Sequence, residues 1–113
     1  MDHHELIIRR EALIADLEKL VSGWTPDRVT LATTLPIENW HFDFYPDSSD
    51  ICIVGTVVGH PRLGDGIITT SPVMAIDLQQ GWARTHGRFY KLGKRANFKV
   101  IDINSSGERT IDV

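Results

Sequence analysis

The sequence predicts an α+β domain, with an N-terminal amphipathic helix and a short second helix packed on one face of an antiparallel meander sheet of about four to five strands. Three observations predict it. Apolar residues recur with helical spacing from Leu6 to Val21. After Pro36 the period changes from helical to alternating, with Gly and Pro at short intervals. The connections between the alternating runs suit hairpins and are too short for crossover helices between parallel strands.

Leu6, Ile7, Leu13, Ile14, Leu17, Leu20 and Val21 form the stripe of the first helix. Asp2 followed by Glu5 resembles a capping box, and Ser22-Gly23 supplies a left-handed stop. Thr25-Pro26-Asp27 repeats the start signal, with Thr25 as N-cap and Pro26 at the first helical position, and predicts a second helix at about Pro26–Thr33 closed by Pro36. Strands are expected at about Trp40–Tyr45, Ile51–Gly59, Ile67–Ile76, Trp82–Leu92 and Phe98–Ile103. In the first of these Trp40, Phe42 and Phe44 alternate against His41, Asp43 and Tyr45 and read as the core side. The organisation is one domain over 1–113, helical at 3–34 and sheet at 39–104, with a tail over 105–113 that reads as mobile.

A chain of 113 residues with 42% hydrophobic and 24% charged residues has ordinary globular composition. It is long enough to bury about two-thirds of its unfolded surface without a metal or disulfide staple. The single cysteine, Cys52, lies in Ile-Cys-Ile-Val and reads as a small buried residue in a reducing, cytoplasmic setting. The first residues contain acids and no long apolar run, so neither a signal peptide nor a membrane contact is expected.

Charge is segregated along the chain. Residues 1–77 carry 12 acids and 5 bases, whereas residues 78–99 carry 6 bases and no acid. In an extended Trp82–Leu92 strand, Trp82, Arg84, His86, Arg88 and Tyr90 would share one face, with Lys94 and Arg95 in the loop beyond. Guanidinium forks suit phosphate and carboxylate, and flanking rings add stacking or cation–π contacts. That face reads as a binding strand. A second reading makes Trp82 and Tyr90 core residues and pairs the arginines with acids across the sheet, and the acidic body tilts the balance slightly toward it. Gly87 in mid-strand hints at a bulge or a close backbone approach.

The loop Gly59–Gly66 holds His60, Arg62 and Asp65, with Ser71 one strand later. An acyl-transfer site would take Ser71 as nucleophile, His60 or His86 as base and Asp65 as orienter. The Gly-x-Ser-x-Gly elbow is absent, and Gly64-Asp65-Gly66 is first a tight-turn sequence. The five histidines lack metal-ligand spacing and no Walker-type loop is present, so neither metal nor cofactor is expected.

The block Gly59-His-Pro-Arg-Leu-Gly-Asp-Gly66, continued by Thr70-Ser-Pro-Val73, Asp77 and Gly81-Trp-Ala-Arg-Thr-His-Gly-Arg-Phe-Tyr-Lys-Leu-Gly93, resembles a family of small uncharacterised bacterial proteins, mainly alphaproteobacterial. The resemblance brings no activity with it. Small orphan proteins of this size are in some cases inhibitors carried by phages or mobile elements. The sequence thus predicts a non-enzymatic binding or regulatory protein whose basic-aromatic strand meets an acidic protein surface. A nucleic-acid-binding domain and a small hydrolase are the alternatives.

Overall fold

The computed structural model describes residues 2–97. The expected strand Phe98–Ile103 and the tail over 105–113 lie outside the described residues. Helix α1 spans His3–Val21, and Asp2 caps it by accepting the Glu5 N–H at 2.7 Å. Its C-terminus ends in a Schellman motif. Trp24 N–H reaches Lys19 O at 3.0 Å, Gly23 N–H reaches Leu20 O at 3.1 Å, and Gly23 takes φ +99°. Helix α2 is shorter than expected, Arg28–Ala32, because its cap is Asp27, whose carboxylate accepts the Thr30 N–H at 2.8 Å. That bond holds the Asp27 carboxyl below its usual range. Thr25 and Pro26 therefore precede the helix, and Pro26 is buried.

Six strands follow: β1 (Pro36–Phe44), β2 (Ile51–His60), β3 (Gly64–Thr69), β4 (Val73–Asp77), β5 (Trp82–Thr85) and β6 (Phe89–Leu92). The fold class is α+β, as the sequence predicts, but the sheet is mixed and has more strands. Its order is β3-β2-β1-β6-β5-β4, so two antiparallel meanders meet at a parallel β1/β6 pair, Pro36 opposite Lys91 and Ile37 opposite Leu92. β4 follows β3 across only Thr70–Pro72, so the two ends of the row are consecutive in the chain. The Thr70 N–H also bonds Ile53 O at 2.8 Å. The sheet consequently curls into a barrel-like wall. The expected strand Ile67–Ile76 is two strands because Pro72 has no N–H for the ladder, and the chain bends there from pairing with β2 to pairing with β5.

Ile37, Trp40, Ile53, Val57, Ile68, Ala83 and Tyr90 form the core inside this wall. Cys52 is fully buried, as its apolar setting predicts. Phe44 is 64% exposed, which corrects its expected core position. A register irregularity between Glu38 and His41, with Asn39 at φ +52°, leaves Trp40 buried and Phe42 only partly covered. Gly55 is required where β1 crosses β2, since a Cβ there would lie 2.7 Å from Ile37 Cγ1.

No residue of α1 is buried. Polar contacts tie the helix to the sheet: Glu5 to Arg62 at 2.9 Å and Asp16 to Arg84 at 3.0 Å. Arg9, Leu13, Asp16, Leu17 and Leu20 make the half-covered side, while Ile7, Ile14 and Val21 stay open.

Candidate functional site

The basic segment folds as a hairpin and not as one strand. β5 ends at Thr85, the chain turns through His86, Gly87 and Arg88, and β6 returns antiparallel with Ala83 opposite Tyr90 and Arg84 opposite Phe89. Thr85 holds the turn: its N–H donates to Arg88 O at 2.9 Å, and its hydroxyl oxygen accepts from Gly87 N–H at 3.2 Å. The mid-strand glycine therefore marks a reversal. This corrects the expected common face of Trp82, Arg84, His86, Arg88 and Tyr90. Trp82 and Arg84 now share a face with Phe89, whereas Tyr90 joins Ala83 on the core side.

Trp82, Arg84 and Tyr90 are buried and build the fold, which removes them from direct contact with a partner. Arg84 is 2% exposed; its Nε donates to Asp16 and its Nη1 to Thr85 O at 2.8 Å, with the guanidinium 5.5 Å from the Phe89 ring. The cross-strand ladder that the sequence offered as a second reading is thus realised against a helix, not another strand. Burial lowers the Arg84 pKa while Asp16 opposes that shift. Removing Asp16 would strand a buried charge, an effect of several kcal/mol. Phe89 lies edge-on to both Trp82 at 5.7 Å and Trp24 at 6.1 Å, and Lys19 sits 5.1 Å over Trp24. This aromatic bracket under the α1–α2 link was not legible in the sequence, because Trp24 gave no periodic signal.

Lys94 and Arg95 belong to the β1 side. Arg95 stands 5.1 Å from the Trp40 ring and 5.3 Å from Phe42, and the Lys94 N–H donates to Glu38 at 2.7 Å. These contacts place neither residue beside His86.

His60 is buried at the end of β2. Its Nδ1 accepts the N–H groups of Arg62 and Leu63, each at 3.1 Å, so the ring proton resides on Nε2, which faces Tyr90 Oη at 3.1 Å. Burial first, then Arg88, Arg62 and Arg9, push the imidazole pKa below its usual value. Burial raises the Tyr90 hydroxyl. Asp65 serves the Gly59 turn, accepting its N–H at 2.6 Å, and Ser71 Oγ accepts the Gly87 N–H at 3.1 Å. The hydrolase trio Ser71, His60 and Asp65 is therefore linked by no hydrogen bond: His60 and Asp65 each hold backbone of the β2–β3 turn, and Ser71 holds the β5–β6 turn. His86 does share a cleft with Ser71, although no carboxylate lines that cleft.

The cleft lies between the N-terminal half of α1 and the β5–β6 turn, about 440 Å³ in volume and bounded by Leu6, Arg9, Arg10, Leu13, Ser71, His86 and Gly87. A Cβ on Gly87 would approach Arg9 Nη2 to 2.7 Å and Ser71 Oγ to 3.6 Å, so guanidinium and hydroxyl converge on the bare backbone of the turn. Arg62 pairs with Glu5 and Arg84 with Asp16, so the acids of α1 nearest the cleft are already engaged. The cleft combines apolar walls from Leu6 and Leu13 with a cationic rim, a combination suited to an anion that carries an apolar body. Among the described residues no cluster of His, Cys, Asp or Glu could hold a metal ion. No described helix is long and apolar enough to cross a membrane.

No curated protein and no solved structure matches this chain. The sequence profile of a family of unknown function (DUF6634) matches residues 14–108, from the second half of α1 through the whole sheet, and the chain belongs to that family.

Proposed function

We propose that this chain is a non-enzymatic binding or regulatory domain of the bacterial cytoplasm that meets an acidic protein partner at the cleft between α1 and the β5–β6 turn. The observation that carries this reading is the positive charge of the cleft's rim. Arg9 and Arg10 line it with no carboxylate among the lining residues, Arg88 follows Gly87 in the turn, and the nearby acids Glu5 and Asp16 are taken by Arg62 and Arg84. The segregated charge of the sequence supports a protein partner over a long polyanion, because residues 1–77 are strongly acidic. A compact acidic patch feels mainly the local cationic field, which is screened within about 8 Å at physiological salt.

The test is capture of partners by the tagged wild-type chain and by the Arg10→Glu/Arg88→Glu variant. Arg84 is left intact because it is buried. The variant is expected to lose the partner while keeping the wild-type melting temperature, since both side chains lie outside the core. Equal capture by both chains would overturn the reading. Electrophoretic mobility shift tests the competing class, and a nucleic-acid complex that weakens steeply with salt would replace the protein partner.

A further inference from the structure

We propose that an apolar groove between the end of the β1–β2 hairpin and β4 binds a medium-chain fatty acid, with Arg95 holding its carboxylate. The groove has a volume of about 370 Å³ and is lined by Phe42 of β1, Ile51 of β2, and Val73 and Ile76 of β4. It shares no lining residue with the cleft beside α1. Pairing of Phe42 with Ile53 and of Phe44 with Ile51 sets Phe42 and Ile51 on the same face of the sheet as the core residue Ile53. On β4 the irregularity between Val73 and Ala75 brings Val73 opposite Thr85 and Ile76 opposite Ala83, so both turn to the side of the core residue Ala83. Phe42 and Val73 pack against the core, whereas Ile51 and Ile76 stay 40% and 37% exposed. The groove is therefore an extension of the core left open to solvent, and an alkyl chain laid in it would remove that apolar surface from water.

The charge beside the groove selects the head group. The Arg95 guanidinium stands 5.3 Å from the ring of Phe42, a lining residue, and 5.1 Å from that of Trp40, and the side chain is exposed. Contact with ring faces engages the plane of a guanidinium and leaves its N–H edge to donate to a carboxylate. No carboxylate is among the lining residues. Asp43 and Asp77, next in sequence to Phe42 and Ile76, fall on the opposite faces of their strands by alternation, and each accepts a backbone N–H, from Phe44 at 2.7 Å and from Gln80 at 2.9 Å. An apolar floor with a guanidinium at its edge matches an alkyl chain that ends in a carboxylate, and disfavours a cationic guest. The volume of about 370 Å³ lies near the lower end of the roughly 300–1,000 Å³ range of small-molecule sites, which sets the chain at medium length.

Calorimetric titration of the full chain with decanoate, decanol and decyltrimethylammonium tests this. Decanoate is expected to saturate a single site, and the other two to bind roughly tenfold or more weaker. Arg95→Gln should weaken decanoate by roughly tenfold and leave decanol unchanged. Ile51→Trp, which fills the groove from a partly exposed position, should abolish binding of both. Each variant is expected to unfold near the wild-type temperature, and Arg95→Gln alters an exposed side chain, so its result stands even if Ile51→Trp fails to fold. Absence of saturable decanoate binding, decanol binding of equal strength, or unchanged decanoate affinity in Arg95→Gln would overturn the proposal. Tighter binding of decyltrimethylammonium would overturn it by giving the groove to a cation. Dimerisation of the wild-type chain that Ile51→Trp abolishes would overturn it by giving the groove to a second copy.

Discussion

His60 is held neutral by geometry. Both N–H groups that meet Nδ1 need its lone pair, so protonation would cost two hydrogen bonds as well as the desolvation of a charge among Arg88, Arg62 and Arg9. Its folded pKa lies below the unfolded value of 6.5. As pH falls, the unfolded chain takes up the proton first, so the contribution of His60 to stability is complete above that value and is lost as pH drops through it toward the folded pKa. Chemical denaturation of wild type and His60→Gln from neutral pH to about pH 5 checks this. The stability gap between them is expected to shrink on acidification, and a constant gap would refute the assignment. The sequence named His60, Arg62 and Asp65 together because they share one loop. It could not name Tyr90 as the partner of His60, since that contact joins residues from β2 and β6.

Local chemistry decided the ends of the elements. Asp2 and Ser22-Gly23 bound α1 as expected, because capping depends on residues within one turn of each other. The capping box is completed only on one side, and Glu5 gives its carboxylate to Arg62. The basic segment reads in sequence as one strand for a related reason: alternation continues across Thr85–Phe89, and only the Thr85 hydroxyl and Gly87 mark the reversal there. In β2, Gly55→Ala should destabilise by about 2 kcal/mol, the overpacking cost where Ile37, Glu38 and Trp40 have no room to retreat. Equilibrium unfolding measures it. A cost near zero would mean that β1 can move away from β2.

For the whole molecule, the contrast between the sheet and α1 sets the dynamics. The core lies within the curled wall, while α1 has no buried residue and leaves Leu6, Ile7, Ile14 and Val21 between 43% and 89% exposed. Its outer tie, Glu5 with Arg62, joins two half-exposed side chains and contributes at most about 1 kcal/mol. Amide hydrogen exchange should therefore open α1 well before β1 and β2, and added salt should widen the difference. Equal protection of α1 and β2 would show that the helix is packed more firmly than its contacts indicate.

The sequence by itself determined the α+β class, α1 with its caps, the buried Cys52, and a concentration of positive charge after residue 77. Each of these depends on periodicity, composition or residues close along the chain. Only the tertiary structure decided that β1 pairs in parallel with β6, that Arg84 is sealed against Asp16, and that Arg9 and Arg10 of α1 join Ser71 and His86 at one cleft. Those juxtapositions link residues more than fifty positions apart, and the order of the strands in the sheet and the seating of α1 against it set them. The cationic segment thus divides into a buried half that holds the helix and a turn that, with α1, forms the candidate site.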